Sequence, residues 1–171
     1  MLPEIKKVLY ATDLSRNAAF AFRYAMKFAE EQDADIIILH VLEEIPPNTR
    51  ALISLYVADS QRMNVLDEKL NIVEKIKSRL NTFCDREYQD TPTCTSRVTH
   101  IEVSEGYPAE QILRKVDELD CDAIIMGTHG KGTLAHTFLG SVAQKVLRRV
   151  RKPVFIIPLP RNDEELKVPD I

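Results

Sequence analysis

The sequence predicts an α/β fold built on a predominantly parallel, open sheet. Three observations carry that prediction. Short apolar runs recur at residues 8–11, 36–42, 123–126 and 154–157, and an alternating segment spans 96–103. Between them lie stretches whose apolar residues return every three or four positions, the period of an amphipathic helix. Four of the chain's five glycines crowd into residues 127–140, after a strand-like run and before a helix-like one. Parallel α/β sheets receive anionic ligands at such junctions.

Residues 8–11 read as a buried first strand, stopped by Thr12, Asp13, Leu14 and Ser15, of which Asp13 or Ser15 caps the next helix. That helix gathers Ala18, Ala19, Phe22, Ala25, Met26 and Ala29 on one face and turns Arg23, Lys27 and Glu30 to water. Its alanines let it lie close to the sheet. The unbroken apolarity of residues 36–42 suits a strand covered on both faces, with His40 as a strand-end packing residue. After Pro46 and Pro47, Leu66, Leu70, Val73, Ile76, Leu80 and Phe83 step by three and four and describe one helix beginning between Asp59 and Asp67. Residues 51–58 admit two readings, a short helix or an excursion covering a groove.

A polar stretch over residues 85–93 leads into the alternating third strand, whose more polar face suits a sheet edge. Gly106 and Pro108 then interrupt the chain before a short helix carrying Ile112, Leu113 and Val116. The fourth strand occupies residues 123–126, and a helix over 141–150 buries Val142, Val146, Leu147 and Val150. Pro153 ends it. Residues 154–157 form the fifth strand, which Pro158 and Pro160 keep from extending its ladder. Five strands alternating with helices imply right-handed crossovers and helices on both faces.

A length of 171 residues suits one compact domain, here residues 1–160 with an insertion around 43–64, followed by a polar tail at 161–171. With 44% hydrophobic and 29% charged residues and a formal charge of -3, the chain has no character of a general nucleic-acid binder. The basic run of Lys145, Arg148, Arg149, Arg151 and Lys152 is either a patch for a specific partner or a solvated helix end, with cations near the negative pole of the helix dipole. Cys84, Cys94 and Cys121 show neither paired metal spacing nor a C-x-x-C, which fits a reducing intracellular compartment. No apolar run is long enough to span a bilayer. The expectation is a cytoplasmic protein without membrane or nucleic-acid partners.

The glycine window is suited to phosphate. A polyphosphate needs several donors converging on a small volume, and backbone N–H groups in a tight glycine loop supply them without side-chain obstruction. Gly127 and Gly130 are placed to turn directly after a strand, and Gly140 permits a second close approach. Ser141 adds a hydroxyl and the first amides of its helix. The G-x-x-x-x-G-K-[ST] phosphate loop is absent, and so is the dinucleotide glycine fingerprint at the first strand–helix junction. These absences disfavour a mainstream NTP hydrolase or nicotinamide enzyme.

The arrangement resembles the universal stress protein family. The family's nucleotide-binding pattern, Gly-x-x-Gly-x(9)-Gly-Ser/Thr, matches Gly127, Gly130, Gly140 and Ser141 without gaps. The likeness runs from Lys7-Val8-Leu9-Tyr10-Ala11-Thr12-Asp13 to Lys152-Pro153-Val154-Phe155-Ile156-Ile157-Pro158 and leaves only the insertion and the tail poorly covered. It implies a doubly wound, five-stranded parallel sheet in the order 3-2-1-4-5 and ATP as ligand. By the same resemblance, Asp13 approaches the adenosine end, Val41 meets adenine through its backbone, and Met126 and Gly127 border the ribose and nearby phosphate. Gly130, Gly140, Ser141 and the backbone amide of Val142 hold phosphates.

Other positions carry two readings. His129 and Lys131 are either phosphate contacts or solvated loop residues, and His136 is a local loop contact. Thr12 supports the glycine loop or Asp13 with its hydroxyl, or only ends its strand. Tyr10 and Met26 fill core space.

Holding ATP is not hydrolysing it, which also requires an oriented water, charge stabilisation and usually Mg2+. Residues 127–142 contain no acid, so no catalytic residue is assigned. The expected function is that of an ATP-binding stress-response protein, a nucleotide-responsive switch acting as a homodimer. Its alternatives are a weak ATPase or phosphotransferase using Mg2+ or Mn2+, and a nucleotide-free scaffold for an unidentified protein. The family implies pairing through the last strand, and the apolar run Val154, Phe155, Ile156 and Ile157 offers the edge for it.

Overall fold

The structure, a computed structural model, describes residues 2–43, 65–87, 91–128 and 139–158. Its elements follow as β1 (Lys7–Thr12), α1 (Arg16–Gln32), β2 (Asp35–Leu42), α2 (Val65–Glu87), α3 (Thr91–Ser96), β3 (Val98–Glu105), α4 (Pro108–Glu118), β4 (Ala123–Gly127), α5 (Ser141–Leu147) and β5 (Val154–Ile157). The five strands form one sheet in the order β3-β2-β1-β4-β5, and all its pairings are parallel. The predicted fold class and strand order are both present.

The central strands have almost no polar residues because helices cover both faces. Successive side chains alternate between two cores, as a strand's period of two requires. Val8, Tyr10, Ile36, Ile38, Ala123 and Ile125 pack with α1 and α2 on one face. Leu9, Ile37, Leu39, Ile124 and Met126 pack with α4 and α5 on the other. Tyr10, Phe22 and Phe83 form a tilted aromatic series with centroids 5.1 Å apart at each step. Burial of Tyr10 pushes its phenol pKa well above the ordinary value, and the hydroxyl donates to the carbonyl of Ala18.

Helix α1 is fixed at both ends. Ser15 is its N-cap, its Oγ accepting from the Ala18 amide at 3.3 Å, and Asp33 closes it in the left-handed region at φ 50°. Ala18, Ala19, Phe22, Ala25, Met26 and Ala29 are all buried, as their spacing predicts.

Several expectations need correction. Leu66 and Leu70 are exposed, and the apolar side of α2 meets the core only from Ile72 onward. The reason is length: Lys69 already reaches Glu105, the last residue of β3, at 3.0 Å, so the first turn of α2 lies at the sheet's rim. Leu147 is likewise exposed, because α5 ends there and only Ala143 and Val146 are fully buried on it. The polar stretch before the third strand contains the end of α2 and the short helix α3. Finally, Cys84 and Cys94 are joined as a disulfide, which corrects the expectation of reduced thiols. Their ten-residue separation is not a motif; the placement of α3 beside the last turns of α2 brings their Cα atoms to 5.7 Å.

Candidate functional site

The strand order reverses between β1 and β4, since the chain moves outward through β2 and β3 and then returns to the other side of β1. At such a switch point the crossovers diverge and leave a crevice beyond the strands' carboxyl ends. A cavity of about 560 Å³ lies there, within the ~300–1,000 Å³ typical of small-molecule sites. Its walls include Thr12 and Asp13 after β1, Val41 at the end of β2, Met126 and Gly127 on β4, and Gly140, Ser141 and Val142 at the start of α5. These eight residues singled out in the sequence therefore line one cavity, while His129 and Gly130 lie outside the described residues. Lys131, His136, most of the insertion (44–64) and the tail also fall outside them.

Side-chain bonds to the backbone shape the turn after β1. Thr12 Oγ1 accepts from the Leu14 amide at 3.0 Å, and Asp13 Oδ1 accepts from the Ser15 amide at 3.0 Å. Leu14 is held at φ 61°, a region that costs a residue with a Cβ. Arg79 of α2 donates to its carbonyl at 3.2 Å. The turn is thus tied to the α1–α2 side, and it commits only one oxygen of Asp13. The other, Oδ2, is buried and has no hydrogen-bond partner among the described residues. A buried carboxylate oxygen left without a donor is costly. Here it belongs to a cavity wall, where a ligand hydroxyl or amino group, or a cation, would satisfy it.

Gly127, Gly140, Ser141 and Val142 contribute to the same lining. Gly140 donates to the carbonyl of Thr128 at 2.7 Å, and Thr128 donates to that of Ile157 at 2.9 Å. The first bond sets Gly140 beside the end of β4, so that Gly127 and Gly140 line the same cavity although thirteen positions separate them in sequence, and the second ties that end to β5. Gly140 is the N-cap of α5 and supplies no side-chain cap. The first amides of a helix have no acceptor in a preceding turn, and they carry the positive end of its dipole. The lining therefore combines the Asp13 carboxylate with the first amides of α5, groups that suit a ligand carrying both hydrogen-bond donors and an anionic group.

Sequence reasoning missed part of the lining. His40 is buried at the cavity rather than only packing a strand end, with Nδ1 2.9 Å from the carbonyl of Thr12. A carbonyl can only accept, so Nδ1 carries the proton and cross-links the ends of β1 and β2. Pro108 and Ile112 bring α4 to the wall. Lys115 holds that helix to β3, its Nζ lying 2.8 Å from Glu102 Oε1 and 3.0 Å from Glu118 Oε2. The signal that finds these residues is strand order, since it identifies which strand ends converge. The basic residues Lys145, Arg148, Arg149 and Arg151 are exposed, in keeping with a solvated helix end.

Among the described residues, no helix is long and apolar enough to cross a membrane, and no three His, Cys, Asp or Glu side chains converge as metal ligands.

Comparison with known proteins gives a consistent result. The model of the universal stress protein family matches residues 4–158. Universal stress protein MJ0577 of Methanocaldococcus jannaschii is 29% identical over 157 residues, covering 89% of this chain and 94% of its own. Its solved structure superposes with a TM-score of 0.66 at 24% identity, over 94% of this chain and 100% of that one. An Arabidopsis thaliana family member solved with AMP bound gives a TM-score of 0.54 at 16% identity, over 97% of this chain and 99% of that one. A universal stress protein solved in complex with cAMP gives 0.51 at 23% identity, over 91% and 98%.

Proposed function

The chain belongs to the universal stress protein family, and from that premise we propose that it binds ATP in the cavity at the carboxyl ends of β1, β2 and β4. The observation that carries this reading is the convergence of Thr12, Asp13, Val41, Met126, Gly127, Gly140, Ser141 and Val142 on that cavity, with one Asp13 oxygen lacking a donor among the described residues. The AMP and cAMP held by two structural relatives support a nucleotide as the class of ligand. The polyphosphate is inferred from this chain's own glycine window.

In the bound state Asp13 Oδ2 accepts from the nucleoside, and the backbone at Val41 meets the base. Met126 and Gly127 flank the sugar, while Gly130, Gly140, Ser141 and the Val142 amide hold phosphates, with His129 beside them. Thr12 positions Asp13 through the turn it bonds. A Mg2+ or Mn2+ ion bound with the nucleotide would be held chiefly by phosphate oxygens and would offset their charge. The protein binds without efficient hydrolysis, because oriented donors alone do not activate a water.

ATP occupancy biases a homodimer formed through β5, in the cytoplasm and as part of a stress response. Val154, Phe155, Ile156 and Ile157 are each only half-buried on this edge strand, and pairing with a second copy would cover them. Such a switch requires ATP affinity to differ between monomer and dimer. Sedimentation with and without ATP tests it, and a concentration-independent monomer in both conditions rejects it.

The binding claim is tested by calorimetric titration of ATP into the wild type and Gly130→Val. A β-branched side chain there obstructs close phosphate approach, and at least tenfold weaker binding is expected. Unchanged affinity in a variant with a wild-type melting profile would overturn the assignment.

A further inference from the structure

Away from the nucleotide cavity, the Cys84–Cys94 disulfide ties the short helix α3 covalently to α2. Both cysteines are buried, and they join the last turns of α2 to α3. Among the described side chains of α3, Cys94 alone is fully buried; Pro92, Thr93 and Ser96 are exposed and Thr95 is intermediate. A six-residue helix is far below the length at which a helix persists by itself. The chain runs from α3 directly into β3, the sheet's edge, whose register with β2 shifts at Ile36/Ile37 beside this junction. Arg97 adds a 2.9 Å ion pair to Asp33 on a largely exposed carboxylate, of a kind that contributes little.

We propose that Cys84 and Cys94 are a reversible thiol–disulfide pair, oxidised in this structure, whose reduction releases α3 from α2 and loosens the start of β3. The buried sulfurs become reachable when α3 opens, and the opening is local because the helix is short and mostly solvated. The oxidant is a small-molecule disulfide, RSSR. One protein thiolate attacks it, forming a mixed disulfide and expelling RS⁻. The second thiolate attacks the protein sulfur of that mixed disulfide and expels the other RS⁻. The two thiol protons end on the two RSH molecules, and two electrons pass from the protein to RSSR. Reduction is the reverse exchange.

Cys121 does not compete in this exchange. It is buried across the sheet from the pair, and burial pushes its thiol up to about 11. The clasp also borders a groove of about 440 Å³ between α2 and β3, with Leu80 and Asn81 on one side and Thr95, Val98 and His100 on the other. Thr95 belongs to α3, so release of the helix takes away part of the groove's wall. The nucleotide cavity lies at the other end of the sheet, where β2 and β3 finish at Leu42 and Glu105. The length of the eight-residue strand β3 separates the two, about 25 Å at the usual rise per residue. Reduction therefore changes the α3 end and leaves the nucleotide end as it is.

The test uses the full wild-type chain equilibrated in buffers of graded thiol-to-disulfide ratio, quenched in acid, and alkylated under denaturing conditions for mass spectrometry. Cys84 and Cys94 should lose and regain alkylation together as a two-electron couple while Cys121 stays alkylatable. Hydrogen exchange on the oxidised and reduced protein should show at least tenfold faster exchange over residues 91–98 on reduction, unchanged exchange in β1 and β4, and ATP affinity within twofold. The double variant Cys84→Ser/Cys94→Ser should exchange like the reduced protein in either buffer. If that variant does not fold, the wild-type comparison decides alone. Free thiols at both positions in folded protein under the most oxidising buffer would overturn the proposal, and so would equal exchange over 91–98 in the two states.

Discussion

Replacing Thr12 by Val tests how the turn after β1 presents Asp13. The substitution keeps the side chain's shape at a position only 8% exposed and removes one oxygen. That oxygen accepts the Leu14 amide at 3.0 Å and helps hold Leu14 at φ 61°. Its loss leaves a part-buried amide unmet, at a cost of about 1–2 kcal/mol. For a domain of this length that corresponds to a Tm lower by about 2–8 °C. The turn is then held mainly by Arg79 on the Leu14 carbonyl and by Asp13 itself, so Asp13 Oδ2 is less well placed for a ligand. An ATP affinity about three- to tenfold weaker is expected, tenfold being about 1.4 kcal/mol. Differential scanning calorimetry and ATP titration measure the two effects on the same preparation. Thr12→Ser keeps the oxygen and should lie near the wild type in both. Equal impairment of the Ser and Val variants would show that the methyl group matters and the hydroxyl does not, which refutes the reasoning.

Lys115→Met removes the ion pair that holds α4 to β3, where side-chain exposures are 15% and 22%, and should lower stability by about 1–2 kcal/mol. Burial works to raise the Glu102 pKa, but Lys115 and His100 together hold its carboxyl below the ordinary range. That stabilisation is complete above the ordinary carboxylate pKa and is lost as acid titrates Glu102 through its lowered folded value. The Lys115 ammonium is held above its ordinary range, first by its hydrogen bond to Glu102, so its share is complete below the ordinary lysine pKa and is lost as pH rises through the raised value. The Tm difference between wild type and variant should be flat from about pH 6 to 9 and shrink below about pH 4; a difference unchanged at pH 2 would contradict this. Gly106 sits at φ +127°, where a Cβ would also stand 2.8 Å from the flexible end of Gln111. Gly106→Ala should therefore cost about 1–3 kcal/mol in urea unfolding, and a variant with the wild-type midpoint would show that the backbone relaxes freely.

The sheet was legible because buried parallel strands leave a plain signal: the runs at 36–42 and 123–126 can hardly be anything else. The cavity was legible in part for the same reason, since Gly127, Gly140 and Ser141 follow a strand and open a helix. His40, Pro108 and Ile112 were not, because their place at the site depends on which strand ends and which helix converge in space. Leu66 and Leu70 follow the period of α2 yet are exposed, because periodicity marks a face and does not say how far the sheet beneath it extends. Helix α3 was hidden by its residues Thr91, Pro92, Thr93, Cys94, Thr95 and Ser96, most of which favour turns over helix. The pairing of Cys84 with Cys94 depends on that hidden helix, so no spacing rule reaches it.

The central claim is that ATP occupies the cavity between Asp13 and the glycine loop. A crystal structure of the chain grown with saturating ATP tests it most directly. The account predicts the nucleoside against Asp13 Oδ2 and the backbone of Val41, with phosphates on the amides around Gly140, Ser141 and Val142. ATP bound elsewhere on the fold, or this cavity left without nucleotide at a concentration where calorimetry shows saturation, would contradict it.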